Sequence, residues 1–467
     1  AGLAAMPRRK LAKQSVWDAE ALRAHMKEYQ VKPVHLRSLW KWALVVESLE
    51  EVCEKLSQSR SPPPSAWMLA LQRDFALSSS TVIDFQTKNA AAGCKLVVRT
   101  QDGLLVEAVV MKAEDAQGAA KSNGRVTLCV SSQVGCKMGC TFCETGTLGH
   151  LGNLTAGEIV EQLYHAQRWV GNGSLGAKRV RNIVFMGMGE PLDNYAAILG
   201  AVESMMCDVS FGILGRHITI STVGVVSRIQ RLAAEPLLQQ VNLAVSLHAA
   251  TQSTRLRIVP SASGCPLDQL AQAMFEYCKQ TNRGIMIEYI VLAGLNNTED
   301  DAESLAKLLQ GLNCWINLIP YNPTSIGEAN GFVPPSNDEL REFEQGIRRY
   351  NCKNHVGEPI SIRTRFSTQS GQDVDSACGQ LAAAAALKTS AFRPTHRHCA
   401  KDSVGDVEDL LLSPVVQSAK IHDKKPSRGP TSLEFPLGAY HYELLACFGA
   451  VTALTVLYGL HRAFKAH

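Results

Sequence analysis

Between residues 125 and 320 the chain repeats one hydrophobic pattern, a short β-branched and aliphatic run followed by an amphipathic segment of helical length. The runs fall at residues 125–131, 182–188, 217–222, 241–247, 285–291 and 315–320, and the segments between them include 156–170, 196–206, 266–281 and 301–312. Apolar runs alternating with 3.6-residue periodicity predict parallel strands joined by crossover helices, hence an α/β unit closing into an open or complete barrel. Chemistry in such a sheet belongs at the carboxyl ends of the strands.

Other patterns flank this centre. In residues 15–57 apolar positions recur at helical spacing (Val16, Leu22, Met26, Val31, Leu36, Leu39, Trp40, Ala43, Leu44), which predicts a small helical unit, and the Ser- and Pro-rich residues 59–65 follow it. Residues 95–111 alternate apolar and polar around Gln101-Asp102-Gly103, the pattern of a hairpin turning at Asp-Gly. After Leu381 an alanine run gives way to a polar, Pro- and Lys-containing stretch that reads as disordered. Residues 444–460 carry no charge, with Tyr440 and Tyr442 before them and His461, Arg462 and Lys465 after. That is the pattern of a short membrane-spanning tail anchor; a helix buried against the core is the alternative.

Composition narrows the class. A chain of 467 residues with 46% hydrophobic content buries a large core and is no disordered scaffold. The formal net charge is only +4, so a nucleic-acid surface has to be a local patch. Fourteen cysteines spread through an ordinary globular composition fit a reducing compartment with metal or redox use better than a disulfide scaffold. The cytosol is the first expectation, with chloroplast or mitochondrion second, and Ala1 in place of methionine leaves room for an upstream leader.

Three cysteines stand directly after the first run, in Cys136-Lys-Met-Gly-Cys140-Thr-Phe-Cys143. This spacing lets one loop wrap a cubic iron–sulfur cluster and leaves one iron without a protein ligand. Zinc is the other reading, with His150 available as a fourth ligand. Four later strand ends each carry short polar groups: Gly189 and Glu190 in Phe185-Met-Gly-Met-Gly-Glu-Pro-Leu192, then Ser221, then Ser246-Leu247-His248, then Asn322 before Pro323. Each alone reads as a turn or a satisfied core residue; after successive strands they converge on one mouth.

Taken together, the cysteine spacing with Phe142 before the last cysteine resembles the radical S-adenosylmethionine (SAM) superfamily. The text Leu128-Cys-Val-Ser-Ser-Gln-Val-Gly-Cys136 narrows the resemblance to RlmN-like dual-specificity RNA methyltransferases that methylate carbon 2 of adenosine, in their plant and algal form, over residues 14–381. The resemblance implies a partial (β/α)6 radical SAM barrel with an N-terminal helical accessory domain and a small β element. The corresponding division is residues 14–62 accessory domain, 90–124 hairpin extension, 125–372 core barrel, 373–384 catalytic cysteine loop, 385–443 linker and 444–460 tail. It also implies a 4Fe-4S cluster on Cys136, Cys140 and Cys143, with SAM bound on the open iron and by Phe142, Gly189, Glu190, Ser221, Ser246, Leu247, His248 and Asn322. Three residues would be catalytic. Cys378 carries a methyl group, Glu107 accepts the carbon-2 proton, and Cys129 attacks Cys378 to release the product as a disulfide.

The partners implied are ribosomal or transfer RNA and an electron donor such as a flavodoxin or ferredoxin system, with the protein a monomer. Both cysteines need reachable thiolates, which predicts loop positions for them, and Arg363 and Arg365 are candidate RNA contacts. The chain departs from the family at Glu144, where a small residue is usual after the third cysteine. A carbon-8 methylating relative, and a membrane-tethered iron–sulfur RNA-binding protein without catalysis, are the alternatives.

Overall fold

Amphipathic helices build the amino-terminal part of the protein, seen in a computed structural model that describes residues 9, 11–87, 93–112, 125–172, 179–364 and 379–381. Residues 444–460, Arg365 and Cys378 lie outside the described residues. A short strand β1 (Gln14–Ser15) leads into helices α1 (Ala19–Glu28), α2 (Val34–Ala43) and α3 (Leu49–Ser57), with Asp18 and Ser48 capping the first and third through their side chains. The Ser-Pro stretch does not end this unit. Helix α4 (Ser65–Asp74) follows it and returns Trp67 to the helical core, where its indole N–H donates to His25 Nδ1 at 3.1 Å. The chain then pairs β2 (Phe75–Ala76) with β1 in parallel. Trp17 packs its ring against Tyr164 and Phe211, at 5.5 and 5.2 Å between centroids, so the helical unit and the barrel share one apolar core.

Next comes an antiparallel ribbon of β3 (Thr81–Gln86), β4 (Gly93–Arg99) and β5 (Leu105–Lys112), with the expected turn at residues 101–103 between the last two. Strand β6 (Val126–Cys129) pairs with β5 on one side and, in parallel, with β9 (Asn182–Phe185) on the other. The small β element is thus continuous with the barrel sheet. Between β6 and β9 lie β7 (Gln133–Gly135), a single turn α5 (Glu144–Thr147), β8 (His150–Asn153) and α6 (Ala156–Gly171).

The remaining barrel elements are α7 (Tyr195–Met206), β10 (Ile218–Thr222), α8 (Val226–Ala234), β11 (Asn242–Ser246), α9 (Gln252–Ile258), α10 (Leu267–Thr281), β12 (Ile285–Val291), α11 (Glu299–Leu309), β13 (Cys314–Pro320), α12 (Ser325–Ala329), α13 (Asn337–Arg349) and β14 (Ser361–Thr364). Among the described residues the large sheet has the order β14-β13-β12-β11-β10-β9-β6-β5-β4-β3, all parallel from β14 to β6. The six predicted runs are its central strands, and β14 adds a seventh parallel neighbour. This is the radical SAM α/β fold.

The two faces of this sheet differ in chemistry. Leu243, Val245, Ile287, Tyr289, Ile316 and Leu318 alternate onto one face, where Tyr289 meets Phe343 of α13. The opposite face carries Cys129, Thr219, Ser221, Ser246, Glu288 and Asn317, nearly all out of solvent. A polar, buried inner face marks a barrel built to hold a ligand. No helix among the described residues is long and apolar enough to cross a membrane.

Trp67→Ala should lower folding stability by about 3–5 kcal/mol, the range for emptying a buried aromatic site, visible as an earlier urea midpoint. An unchanged midpoint would mean that α4 is not part of the shared core.

Candidate active site

The carboxyl ends of the parallel strands bring most of the candidate residues to one mouth. Cys136, Cys140 and Cys143 occupy the segment from the end of β7 to α5, and the Cys136 N–H donates to the Gly149 carbonyl at 2.8 Å. Burial pushes the Cys136 thiol up to about 12 and Cys140 well above its ordinary value, and the neighbouring cysteines push in the same direction. Burial likewise raises Cys143, against hydrogen bonds from Gly146 and Thr145 that lower it. Three mutually interacting thiols of this kind hold protons until a metal displaces them. Among the described residues no three His, Cys, Asp or Glu are gathered as ligands of a single ion. His150 Nε2 lies 3.1 Å from Asn153 Oδ1 and 3.3 Å from Gln133 Nε2, so that ring nitrogen is engaged within the protein. A thiolate triad on one loop fits a cubane with one open iron.

Glu190 follows β9 and is buried. Its carboxylate accepts from the Leu192 N–H at 3.0 Å and the Val223 N–H at 2.9 Å, while its own N–H donates to Gln133 Oε1 at 2.8 Å. Burial raises Glu190 to about 7, with the two backbone donors pulling the other way. Gly189 before it has φ 101°, and a Cβ there would stand 2.5 Å from Gln133 Cβ, so both backbone geometry and space require glycine. Ser221 and Ser246 face each other with hydroxyls 3.3 Å apart. Leu247 is buried and bonds Glu288, its N–H donating to that residue's carbonyl at 3.0 Å. Asn322 is buried just beyond β13.

His248 takes the left-handed backbone at φ 60° and accepts the Ile290 N–H on Nδ1 at 3.2 Å. Burial lowers it to about 3, with Arg255 acting in the same sense, so it is neutral. Its ring meets Phe142 edge-on, 5.2 Å between centroids.

Around Phe142 the distant end of the chain is seated. The Glu144 N–H donates to the Gly379 carbonyl at 2.8 Å, and the Thr145 hydroxyl donates to the Leu381 carbonyl at 2.6 Å. Gln380 Nε2 donates to the Pro323 carbonyl at 3.1 Å, and Thr324 Oγ1 donates to the Phe142 carbonyl at 2.8 Å. Gly379 has φ 88°, and a Cβ on it would come within 3.4 Å of Phe142 and 3.8 Å of the Cys143 Cα. Glu144 does not simply face solvent: its Oε1 accepts the Ile326 N–H at 3.2 Å.

The two remaining candidates lie on the sheet. Cys129 ends β6 and is buried, not on an exposed loop as expected. Burial pushes its thiol up to about 12, against a hydrogen bond with the Met186 backbone. Glu107 is buried as well, and Lys95 Nζ stands 3.5 Å from its Oε1. Val109 pairs with Cys129, so Glu107, two residues earlier on β5, projects from the same face as Cys129. Sequence reasoning passed over Gln133, Glu288, Asn317 and Arg255. Glu288 and Asn317, whose side chains bond at 2.6 Å, had a signal as lone polar residues inside the apolar runs; Arg255 had none. Arg363, on β14, pairs with Asn317 in register.

A loop of three thiols at the carboxyl end of the first parallel strand, facing polar strand ends, defines a radical SAM protein, and the Radical SAM superfamily model matches residues 130–309. Two relatives carry the identification further. A "Probable dual-specificity RNA methyltransferase RlmN" of Akkermansia muciniphila is 36% identical over 342 residues, 73% of this chain and 87% of that one. A "Dual-specificity RNA methyltransferase RlmN 1" of Myxococcus xanthus is 38% identical over 301 residues, 64% of this chain and 76% of its own length. Among solved structures, a radical SAM methyltransferase from Sphaerobacter thermophilus superposes with a TM-score of 0.66 at 34% identity, covering 79% of this chain and 99% of that one. The chain belongs to the RlmN family of radical SAM methyltransferases, whose cofactors are a 4Fe-4S cluster and SAM.

Thr145→Val removes the hydroxyl bond to Leu381 and should weaken the seating of residues 379–381 by about 1–2 kcal/mol. Hydrogen exchange at the Glu144 amide should then quicken about tenfold; an unchanged rate would show that the seat does not depend on Thr145. His248 gives a pH dependence. Its value falls from 6.5 to about 3 on folding, so its stabilising contribution is complete above pH 6.5 and is lost as pH drops toward 3. His248→Gln, which keeps an acceptor for Ile290, should lose less stability across that window by urea titration of the metal-free protein, with a difference of at most about 1.4 kcal/mol per pH unit. Parallel acid limbs would contradict a neutral buried His248.

Proposed function

We propose that this chain forms 2-methyladenosine in ribosomal RNA, transfer RNA or both, through an S-methylcysteine on Cys378. The observation that carries this reading is Gly379 on the cluster loop: chain connectivity keeps Cys378 one peptide from a residue whose carbonyl bonds the Glu144 N–H at 2.8 Å. A methyl carrier has to work within reach of the radical source, and this seat supplies that reach. The names of the relatives favour carbon 2 over the carbon-8 alternative.

When bound at Cys136, Cys140 and Cys143, the cluster supplies, together with SAM, the 5'-deoxyadenosyl radical that an unactivated aromatic carbon requires. Glu190, Ser221, Ser246, Leu247, His248 and Asn322 would hold SAM at the barrel mouth, with Phe142 beside His248. Cys378 would carry the methyl group as a thioether, give one of its hydrogen atoms to the 5'-deoxyadenosyl radical, and bond adenine carbon 2 through the methylene carbon left on its sulfur. The electron released as the ring regains aromaticity would return to the oxidised cluster, and the methylene carbon would take up a proton when Cys129 frees it. Glu107, whose Oε1 lies 3.5 Å from Lys95 Nζ, would take the proton from adenine carbon 2. Cys129 then attacks the Cys378 sulfur, releasing the methylated base and leaving a disulfide that an external thiol reductant reopens. The high value of the Cys129 thiol holds it protonated until that step, which keeps it from competing with Cys378. An electron donor of flavodoxin or ferredoxin type feeds the cluster, and the target base leaves its stack to enter the mouth.

Full-length protein reconstituted anaerobically with iron and sulfide, then given SAM, a reductant and RNA, should produce 2-methyladenosine detectable by mass spectrometry of the digested RNA. Cys378→Ala should abolish the product while SAM cleavage persists. Cleavage of SAM with no methyl group in ribosomal or transfer RNA would defeat the assignment.

A further inference from the structure

Arg255, in α9, is wholly out of solvent. Its guanidinium donates to three main-chain carbonyls, Nε to Leu247 at 3.2 Å, Nη1 to Cys265 at 3.4 Å, and Nη2 to Val223, and it also bonds the Cys265 side chain. These three carbonyls lie beyond β10, beyond β11 and in the turn that precedes α10, so one side chain fastens three segments at the barrel mouth. Carbonyl bonding alone does not account for a charge here. A neutral donor could bond carbonyls, whereas a buried guanidinium carries a desolvation cost that a nearby anion offsets.

No Asp or Glu forms an ion pair with Arg255 among the described residues. Two of its carbonyl partners sit beside the cluster loop: Val223 packs with Cys140 and Cys143 against the small apolar cluster around Phe142, and Leu247 precedes His248, whose ring meets Phe142. The same helix is locked to the cluster loop at its carboxyl end: the Thr141 N–H donates to the Ile258 carbonyl at 3.0 Å and its hydroxyl to the Arg257 carbonyl at 2.8 Å. The guanidinium therefore has a fixed position relative to the Cys136–Cys143 loop.

We propose that Arg255 is a positioning residue that supplies the counter-charge to the cluster held by Cys136, Cys140 and Cys143, raising the cluster's reduction potential. This rests on the cluster reading above. A 4Fe-4S cluster on three thiolates is an anion when oxidised and gains a further negative charge on accepting an electron. A fixed cation nearby stabilises the reduced form more than the oxidised one, and a water-poor setting strengthens the effect. Lysine would keep the charge but could not reach three carbonyls in a fixed fork, which explains arginine at this place.

The test is the midpoint potential of the cluster in the full chain, reconstituted anaerobically and titrated with dithionite under electron paramagnetic resonance, for wild type, Arg255→Gln and Arg255→Lys. Iron and sulfide content and the thermal unfolding curve are recorded alongside. Arg255→Gln keeps amide donors for the carbonyls and loses the charge. It should shift the oxidised-to-reduced balance at least about tenfold toward oxidised, a fall of about 59 mV for a one-electron couple, while Arg255→Lys stays near wild type. A potential in Arg255→Gln equal to that of wild type overturns the counter-charge role and leaves only the clamp. Should Arg255→Gln take up no cluster, Arg255→Lys decides: a near-wild-type potential upholds the proposal, and a fall of about 59 mV or more overturns it. Wild-type protein that takes up no 4Fe-4S cluster removes the underlying reading and this inference with it.

Discussion

Residues 379–381 are held on the cluster loop by a pair of hydrogen bonds, from the Glu144 N–H to Gly379 and from the Thr145 hydroxyl to Leu381, and the second spans 236 positions of sequence. The site depends on this seat. Closing so long a stretch of chain has an entropic cost that two hydrogen bonds of about 1 kcal/mol each could not offset alone. The barrel has already brought the two ends together, and the bonds only choose the final position. Phe142 joins the parts: its carbonyl holds Thr324, its ring meets His248, and its edge approaches Gly379. One loop thus carries the three cysteines and receives residues 379–381.

The polar inner face of the barrel explains the electrostatics of the site. Glu190 rises to about 7 and His248 falls to about 3, both chiefly through burial, so neither is charged as it would be in water. The thiols rise for the same reason. A water-poor mouth of this kind protects a radical from solvent and strengthens every fixed charge within it, Arg255 included.

Much of this was legible in the sequence. The six central strands and their helices stand out because apolar runs and helical periodicity are local signals, and the three cluster cysteines because their spacing is short. What escaped was set by tertiary contact. Strand β3 exposes Ile83 and Phe85 and has no clean alternation between a buried and an exposed face, so its period gave no warning. Strand β14 is four residues long and partly exposed throughout. Glu107 looks like a surface carboxylate until β5 is seen paired between two other strands, and Cys129 like a loop thiol until β6 is seen to end on it. Glu144, an oddity in the motif, acquires a purpose only when Ile326 and Gly379 arrive beside it from far along the chain.

The central claim is that Cys378, the residue before the seated Gly379, carries the methyl group. Peptide mass spectrometry of cluster-loaded protein, turned over with methyl-deuterated SAM and quenched with acid before RNA is added, tests it most directly. The account predicts one labelled methyl group on the peptide containing Cys378 and none on the peptide containing Cys129. A label on Cys129, or on no cysteine in protein that still cleaves SAM, would contradict it.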